Sequence, residues 1–241
     1  MTYDFWCDYK FIPYELVLKF DVRLHNVIKK LENFFKDVKI NSYEDEKIIF
    51  YIAGSCIKAD TFRDIDVFFP TKDILNKVCK NINKEYFLYE NNANTYKYDD
   101  DIIQIVYREK FLNQNISYIV DIFDFYSTKI AFKCELDTNN FSIKVLQSDI
   151  REEFISYLLT KRNSLTRVNI NPFVSLQRAI NFLKRGDDIP FSVFLNICSK
   201  ICEIDKNDSI EKYLERLQGD DEKLEEIKES IIEFMKIYKS K

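Results

Sequence analysis

Ile48-Ile49-Phe50-Tyr51-Ile52-Ala53-Gly54-Ser55, followed a few residues later by Asp64-Ile65-Asp66-Val67, is the stretch on which the fold turns. The first run is apolar and is halted by Gly-Ser, which reads as a buried strand meeting a tight turn. The second alternates acid and apolar residues and closes at Pro70, which predicts a second strand over Asp64 to Phe69. Side chains two apart on a strand share a face, about 6.5–7 Å from one another, so both carboxylates point the same way. With 40 acids in 241 residues, roughly seven acid-x-acid pairs arise by chance, so the pair alone says little. The Gly-Ser turn upstream gives it weight. A glycine lets backbone approach a ligand closely. A short helix beginning at Ser55 would turn its hydroxyl and free amides toward phosphates, with the helix dipole assisting.

Working outward, Pro13 opens a run in which Leu16, Val17, Phe20, Leu24, Val27, Ile28, Leu31, Phe34, Phe35 and Val38 recur every three or four positions. That spacing predicts a long amphipathic helix. Residues 72–83 read as a helix, Asn91 to Asn94 as a loop, and Ile102 to Tyr107, Tyr118 to Phe125 and Phe141 to Leu146 as strands. Helical periodicity then takes over at 149–161, 172–185 and 190–204, with Pro172 and Gly186 as start and stop punctuation. Two further helices are expected in the tail, one entered through Asp208 with Glu211 set for a capping box, the other over 221–239. The fold class expected is α+β: a mixed sheet with flanking helices over residues 1–147, then an all-helical half over 148–241.

A pair of carboxylates on one strand face can hold two Mg²⁺ ions roughly 3.5–4 Å apart, one activating an attacking oxygen and the other steadying the leaving group of a phosphoryl transfer. A third acid would complete the cage, and Val120-Asp121-Ile122-Phe123-Asp124-Phe125 offers two. An acid in so apolar a segment needs a partner, either a metal or a salt bridge. On a regular strand Asp121 and Asp124 fall on opposite faces, so one of them can join the site.

A strand ending in Gly54-Ser55, then Asp64-Ile65-Asp66, then an acid within Phe123-Asp124-Phe125, resembles the nucleotidyltransferase domain of the DNA polymerase beta superfamily over residues 46–126. The nearest type is the head domain of poly(A) polymerases and CCA-adding enzymes, with viral or phage relatives. Arg178, Lys184 and Arg185 ahead of Gly186 are similar to the basic helix that trails such heads. The resemblance implies two-metal transfer of a nucleoside monophosphate, AMP being expected, from a triphosphate to an acceptor hydroxyl such as an RNA 3′ end. It gives Asp64, Asp66 and Asp124 the roles of catalytic metal ligands, with Asp121 in reserve. Gly54, Ser55, Arg178 and Lys184 would hold the nucleotide, and Asn171 and Ser175 could address its base or ribose. The chain departs from the bacterial CCA-adding pattern: Gly54-Ser55-Cys56-Ile57 replaces the double glycine, and Arg63 directly precedes Asp64.

Composition narrows the classes further. His25 is the single histidine and sits in a helical pattern, so a His-based triad or a histidine-rich metal hydrolase is poorly supplied. Six scattered cysteines suggest free thiols; Cys198 and Cys202, four apart on a helix, could form one edge of a zinc site but lack histidine partners. There is no signal-peptide order and no apolar run near the ~20 residues of a membrane span, which gives a cytoplasmic expectation without a membrane partner. Net charge is −4, yet residues 151–186 carry seven cations (Arg151, Lys161, Arg162, Arg167, Arg178, Lys184, Arg185) against Glu152 and Glu153. Such a stretch suits RNA, tRNA or another 3′ end among them. The competing expectations are nucleotidyl transfer to a small molecule or a protein, and a nucleotide-binding module without turnover.

Overall fold

The three-to-four spacing of apolar residues produces helix α1 (Tyr14–Asp37), which buries Val17, Phe20, Leu24, Val27, Ile28, Leu31, Phe34 and Phe35 along one stripe. Pro13 occupies its N-cap, where a fixed φ and a missing N–H cost the helix nothing. The computed structural model describes residues 12–38, 47–60, 62–82, 87–90, 93–106 and 113–204.

Seven strands follow: β1 (Lys47–Ala53), β2 (Ile65–Phe68), β3 (Phe87–Glu90), β4 (Ala93–Tyr98), β5 (Asp101–Val106), β6 (Ile130–Asp137) and β7 (Ile143–Ile150). They form one sheet in the order β3-β4-β5-β2-β1-β6-β7. β2 and β5 run parallel, and the other neighbours are antiparallel. Helix α2 (Lys72–Asn81) lies between β2 and β3 in sequence, its N-cap Thr71 accepting from the Ile74 amide at 3.3 Å. The fold is therefore α+β with a mixed sheet and flanking helices.

Strand alternation sorts the side chains onto two faces. Phe50, Ile52, Ile65, Val67, Ile103, Ile105, Phe132 and Cys134 join α1 in the main core. There Phe35 meets Phe50 edge-on at 5.6 Å and Phe34 meets Tyr98 at 5.5 Å. Each such buried ring contributes roughly 2–3 kcal/mol of apolar burial. The other face presents Tyr51, Ala53, Phe68 and Ala131 to helix α3 (Ile116–Ile122) through Ile116, Ile119 and Val120.

Helix α3 overturns the strand expected at Tyr118 to Phe125. A short apolar run fits a buried strand or a buried helix equally well, and here capping decides. Asn115 accepts from the Tyr118 amide at 2.8 Å, and the buried Lys129 ammonium donates to the carbonyls of Val120 and Asp121 at 3.1 and 3.2 Å. Both helix ends are thereby satisfied. The reading that places Asp121 and Asp124 on opposite strand faces falls with that strand: Asp121 lies in the last turn of α3 and Asp124 beyond it. Of the expected 91–94 loop, Ala93 and Asn94 belong to β4, and 91–92 lie outside the described residues. Residues 149 and 150 finish β7, so the helix expected from 149 begins at Glu152.

Contacts divide the chain into two compact units, one of Met1–Phe123 and Ser127–Leu158, the other of Asp124–Tyr126 and Leu159–Lys241. Residue 147 lies within β7, and the division falls after Leu158, inside α4 (Glu152–Thr160). In the second unit, α5 (Pro172–Lys184) and α6 (Phe191–Cys202) enclose a core of Phe125, Phe173, Ala179, Phe182, Val193 and Ile197. Asn171 caps α5 ahead of Pro172. Gly186, at φ 86°, ends it with its own amide bonded to Leu183 O and that of Asp187 to Phe182 O, which is the Schellman pairing that a glycine past the last turn permits. The helices expected from Asp208 and over 221–239 lie outside the described residues.

Candidate functional site

The antiparallel pairing of β1 with β2 sets Ala53 opposite Asp66, and the parallel pairing of β2 with β5 sets Asp66 beside Gln104. Paired residues share a face, so a polar row, Thr95-Gln104-Asp66, crosses the sheet next to Ala53 and Ala131. Gln104 donates to Thr95 Oγ1 at 3.5 Å. Asp64 precedes β2 by one residue. The carboxylates of Asp64 and Asp66 both bear on the Cys56 thiol, which burial first, then Asp66, then Asp64 push far above its ordinary pKa. That thiol stays protonated. Both acids thus lie within electrostatic reach of the turn that follows β1.

Gly54 makes that turn. Its φ of 91° and ψ of −146° lie in a region open essentially to glycine alone. A Cβ at this position would stand 3.0 Å from Asp66 Oδ2. The Gly54 amide is bonded to Ile130 O at 3.2 Å, which ties the turn to β6. Ser55 is half-buried and starts a single 3-10 turn, Ser55–Ile57, in place of the short helix expected there. One such turn is too short for a macrodipole, so Ser55 offers its hydroxyl without one. Helix α1 braces the turn: Arg23 donates to Lys58 O at 3.0 Å and to Asp60 at 2.8 Å.

Asp64 is 5% exposed and receives the Arg63 guanidinium, Nε to Oδ2 at 2.6 Å, with a second Arg63 nitrogen on the same oxygen. A carboxylate such as that of Asp66, beside a gap that a Cβ would close, is an oxygen donor of the kind a hard divalent cation takes, and Asp64 could add a second. Among the described residues no group of three or more His, Cys, Asp and Glu side chains gathers closely enough to hold a metal.

Asp124 belongs by its contacts to the second unit. It is 2% exposed, with Oδ1 on Arg178 at 2.8 Å and Oδ2 on the Ser175 hydroxyl at 2.9 Å. Its carbonyl accepts from the Thr166 amide at 2.8 Å and hydroxyl at 3.1 Å, and Phe125 forms an isolated bridge with Leu165. Of the two partners either of which would suit a buried acid here, a metal or a salt bridge, the structure shows the salt bridge, to Arg178. Asp121 is exposed and ion-paired to Arg151 at 2.9 Å. Ser175 is fully buried and Asn171 caps α5, so both are engaged within the protein. Lys184 is exposed in the last turn of α5. His25 is exposed on α1, and Cys198 and Cys202 are exposed free thiols on α6.

Asp124→Asn is expected to lower stability by about 2 kcal/mol, because it removes the charge paired with Arg178 and leaves one acceptor oxygen where Arg178 and Ser175 use two. The figure sits below the roughly 3–5 kcal/mol of a fully buried pair because Arg178 keeps 35% of its side-chain surface in water. Denaturant unfolding measures it, and a wild-type midpoint would refute the anchoring role.

No described helix is long and apolar enough to cross a membrane. No family model and no curated protein matches the chain. Among solved structures it is similar to a CCA-adding enzyme with ATP (16% identity, 86% of this chain, 47% of that one, TM-score 0.47). It is also similar to a CCA-adding enzyme with CTP (16%, 85%, 47%, TM-score 0.43) and to a tRNA-processing enzyme in an apo form (10%, 76%, 49%, TM-score 0.46). The chain thus spans about half the length of these structures.

Proposed function

We propose that the protein is a nucleotidyltransferase that moves a nucleoside monophosphate, AMP in the first instance, from a triphosphate to an acceptor hydroxyl with release of pyrophosphate. One observation carries this reading: Gly54, in a glycine-only conformation, abuts the carboxylate of Asp66, two residues on from Asp64. Asp64 and Asp66 are the residues that would hold Mg²⁺. When bound, the metal supplies charge stabilisation to the phosphoryl transfer and lowers the pKa of the attacking oxygen. Gly54 keeps the space beside Asp66 open, and Ser55 offers a hydroxyl at the edge of that space to a phosphate oxygen. Asp124, with Arg178 as its counter-ion, acts in this reading as an anchor within the second unit.

The acceptor follows from charge. Lys161, Arg162, Arg167, Lys184 and Arg185 are exposed in the second unit. A polyanionic acceptor such as an RNA 3′ end suits these five. If three to five of them meet phosphates, affinity for single-stranded RNA falls roughly 20- to 100-fold between about 50 and 200 mM salt. Filter binding across that range measures the slope, and a flat response would leave a small-molecule or protein acceptor. Incubation with each labelled triphosphate and total RNA, followed by separation of the labelled fraction, tests the function itself.

A further inference from the structure

Asp64 and Asp66 place two negative charges beside one turn, and both bear on Cys56. Such a pair needs a cation, and in this structure Asp64 has one from its own neighbour. Arg63 brings two guanidinium nitrogens to Oδ2 of Asp64, the first at 2.6 Å. The two partners differ in solvation: the Asp64 side chain is 6% exposed and that of Arg63 63% exposed. The carboxylate is buried while the guanidinium sits at the surface on a flexible stem. A divalent cation on Asp64 would compete for the same oxygen and would repel the guanidinium.

We infer that Arg63 is a displaceable counter-ion, which holds the charge of Asp64 while no metal is bound and sets how tightly the site takes a divalent cation. The inference rests on the proposed role of Asp64 as a metal ligand. Arg63 is a positioning residue here, acting through Asp64. Arg23 provides the contrast, since its cation braces the same turn but pairs with Asp60.

Mn²⁺ titrated into the whole protein without nucleotide, followed by the loss of the free-ion paramagnetic resonance signal, tests the inference. Arg63→Gln is expected to tighten Mn²⁺ binding about three- to fivefold, the upper range for removing a partly exposed competing ion pair. Arg63→Lys, which keeps the charge, should stay within about twofold of wild type, as should Arg23→Gln, which removes an equal charge from Asp60. Unchanged or weaker binding in Arg63→Gln would overturn the inference, and so would equal tightening in Arg23→Gln, which would show a general field rather than a specific pair. Asp64→Asn separates this from failure of the functional reading. If wild type binds Mn²⁺ and Asp64→Asn does not, the site stands whatever Arg63 does. If the two bind alike, the assignment of Asp64 falls and the inference falls with it.

Discussion

Asp64→Asn and Asp66→Asn are each expected to slow metal-dependent nucleotidyl transfer by about a hundredfold or more while leaving the protein folded. Each exchange keeps the size and shape of the side chain and removes one charge. Neither residue is part of an apolar cluster, so no core packing is lost. Asp64→Asn also releases Arg63, but a pair whose cation is mostly in water contributes at most about 1 kcal/mol, so the melting temperature should move by only a few degrees. The relevant contrast is between turnover and stability. Initial rates with saturating triphosphate, set beside thermal melts of the same preparations, measure both, and wild-type turnover in either variant would remove the carboxylate pair from the chemistry.

Gly54→Ala should be as damaging to activity and should also destabilise. An alanine at φ 91° is strained by about 1–3 kcal/mol wherever it stands. Here its Cβ would also meet Asp66 Oδ2 at 3.0 Å, so either the carboxylate or the turn must shift. The turn is held by the Gly54 to Ile130 bond and by Arg23 on Lys58 O, so the displacement is expected to fall on Asp66. A shift of about 1 Å in a positioned catalytic group costs on the order of a hundredfold in rate. The expected result is therefore lost transfer together with a lower unfolding midpoint. Loss of stability with normal transfer would mean that Asp66 tolerates being moved, contrary to its proposed role.

Long, regular periodicity made much of the fold legible. Helix α1 announced itself through apolar residues from Val17 to Phe35, and α5 through Pro172 and Gly186, because such patterns admit one secondary structure and each end carries its own chemistry. β1 and β2 were legible for the complementary reason, a short apolar run and an acid-apolar alternation stopped by Gly54 and Pro70. The segment 118–125 was not, because its apolar residues satisfy either period and the deciding interactions come from Asn115 and from Lys129, which lies beyond the segment. Strand β6 was legible but overlooked: Phe132, Cys134 and Leu136 alternate with Lys133, Glu135 and Asp137 and are buried accordingly. At the candidate site, residue types and spacing single out Gly54, Asp64 and Asp66 as candidates. The contact of Arg63 with Asp64, the row through Gln104 and Thr95, and the engagement of Asp124 by Ser175 and Arg178 depend on register and on side-chain direction, which spacing does not encode.

The central claim is that the Asp64-Asp66 pair beside Gly54 performs metal-dependent transfer from a nucleoside triphosphate. The most direct measurement is pyrophosphate release from α-phosphate-labelled ATP in the presence of RNA, with and without Mg²⁺, for wild type and Asp64→Asn. The account predicts pyrophosphate and acceptor-bound label in equal amounts for wild type with Mg²⁺, and neither above background without the metal or in Asp64→Asn. Pyrophosphate release and labelling that persist undiminished in Asp64→Asn would contradict it.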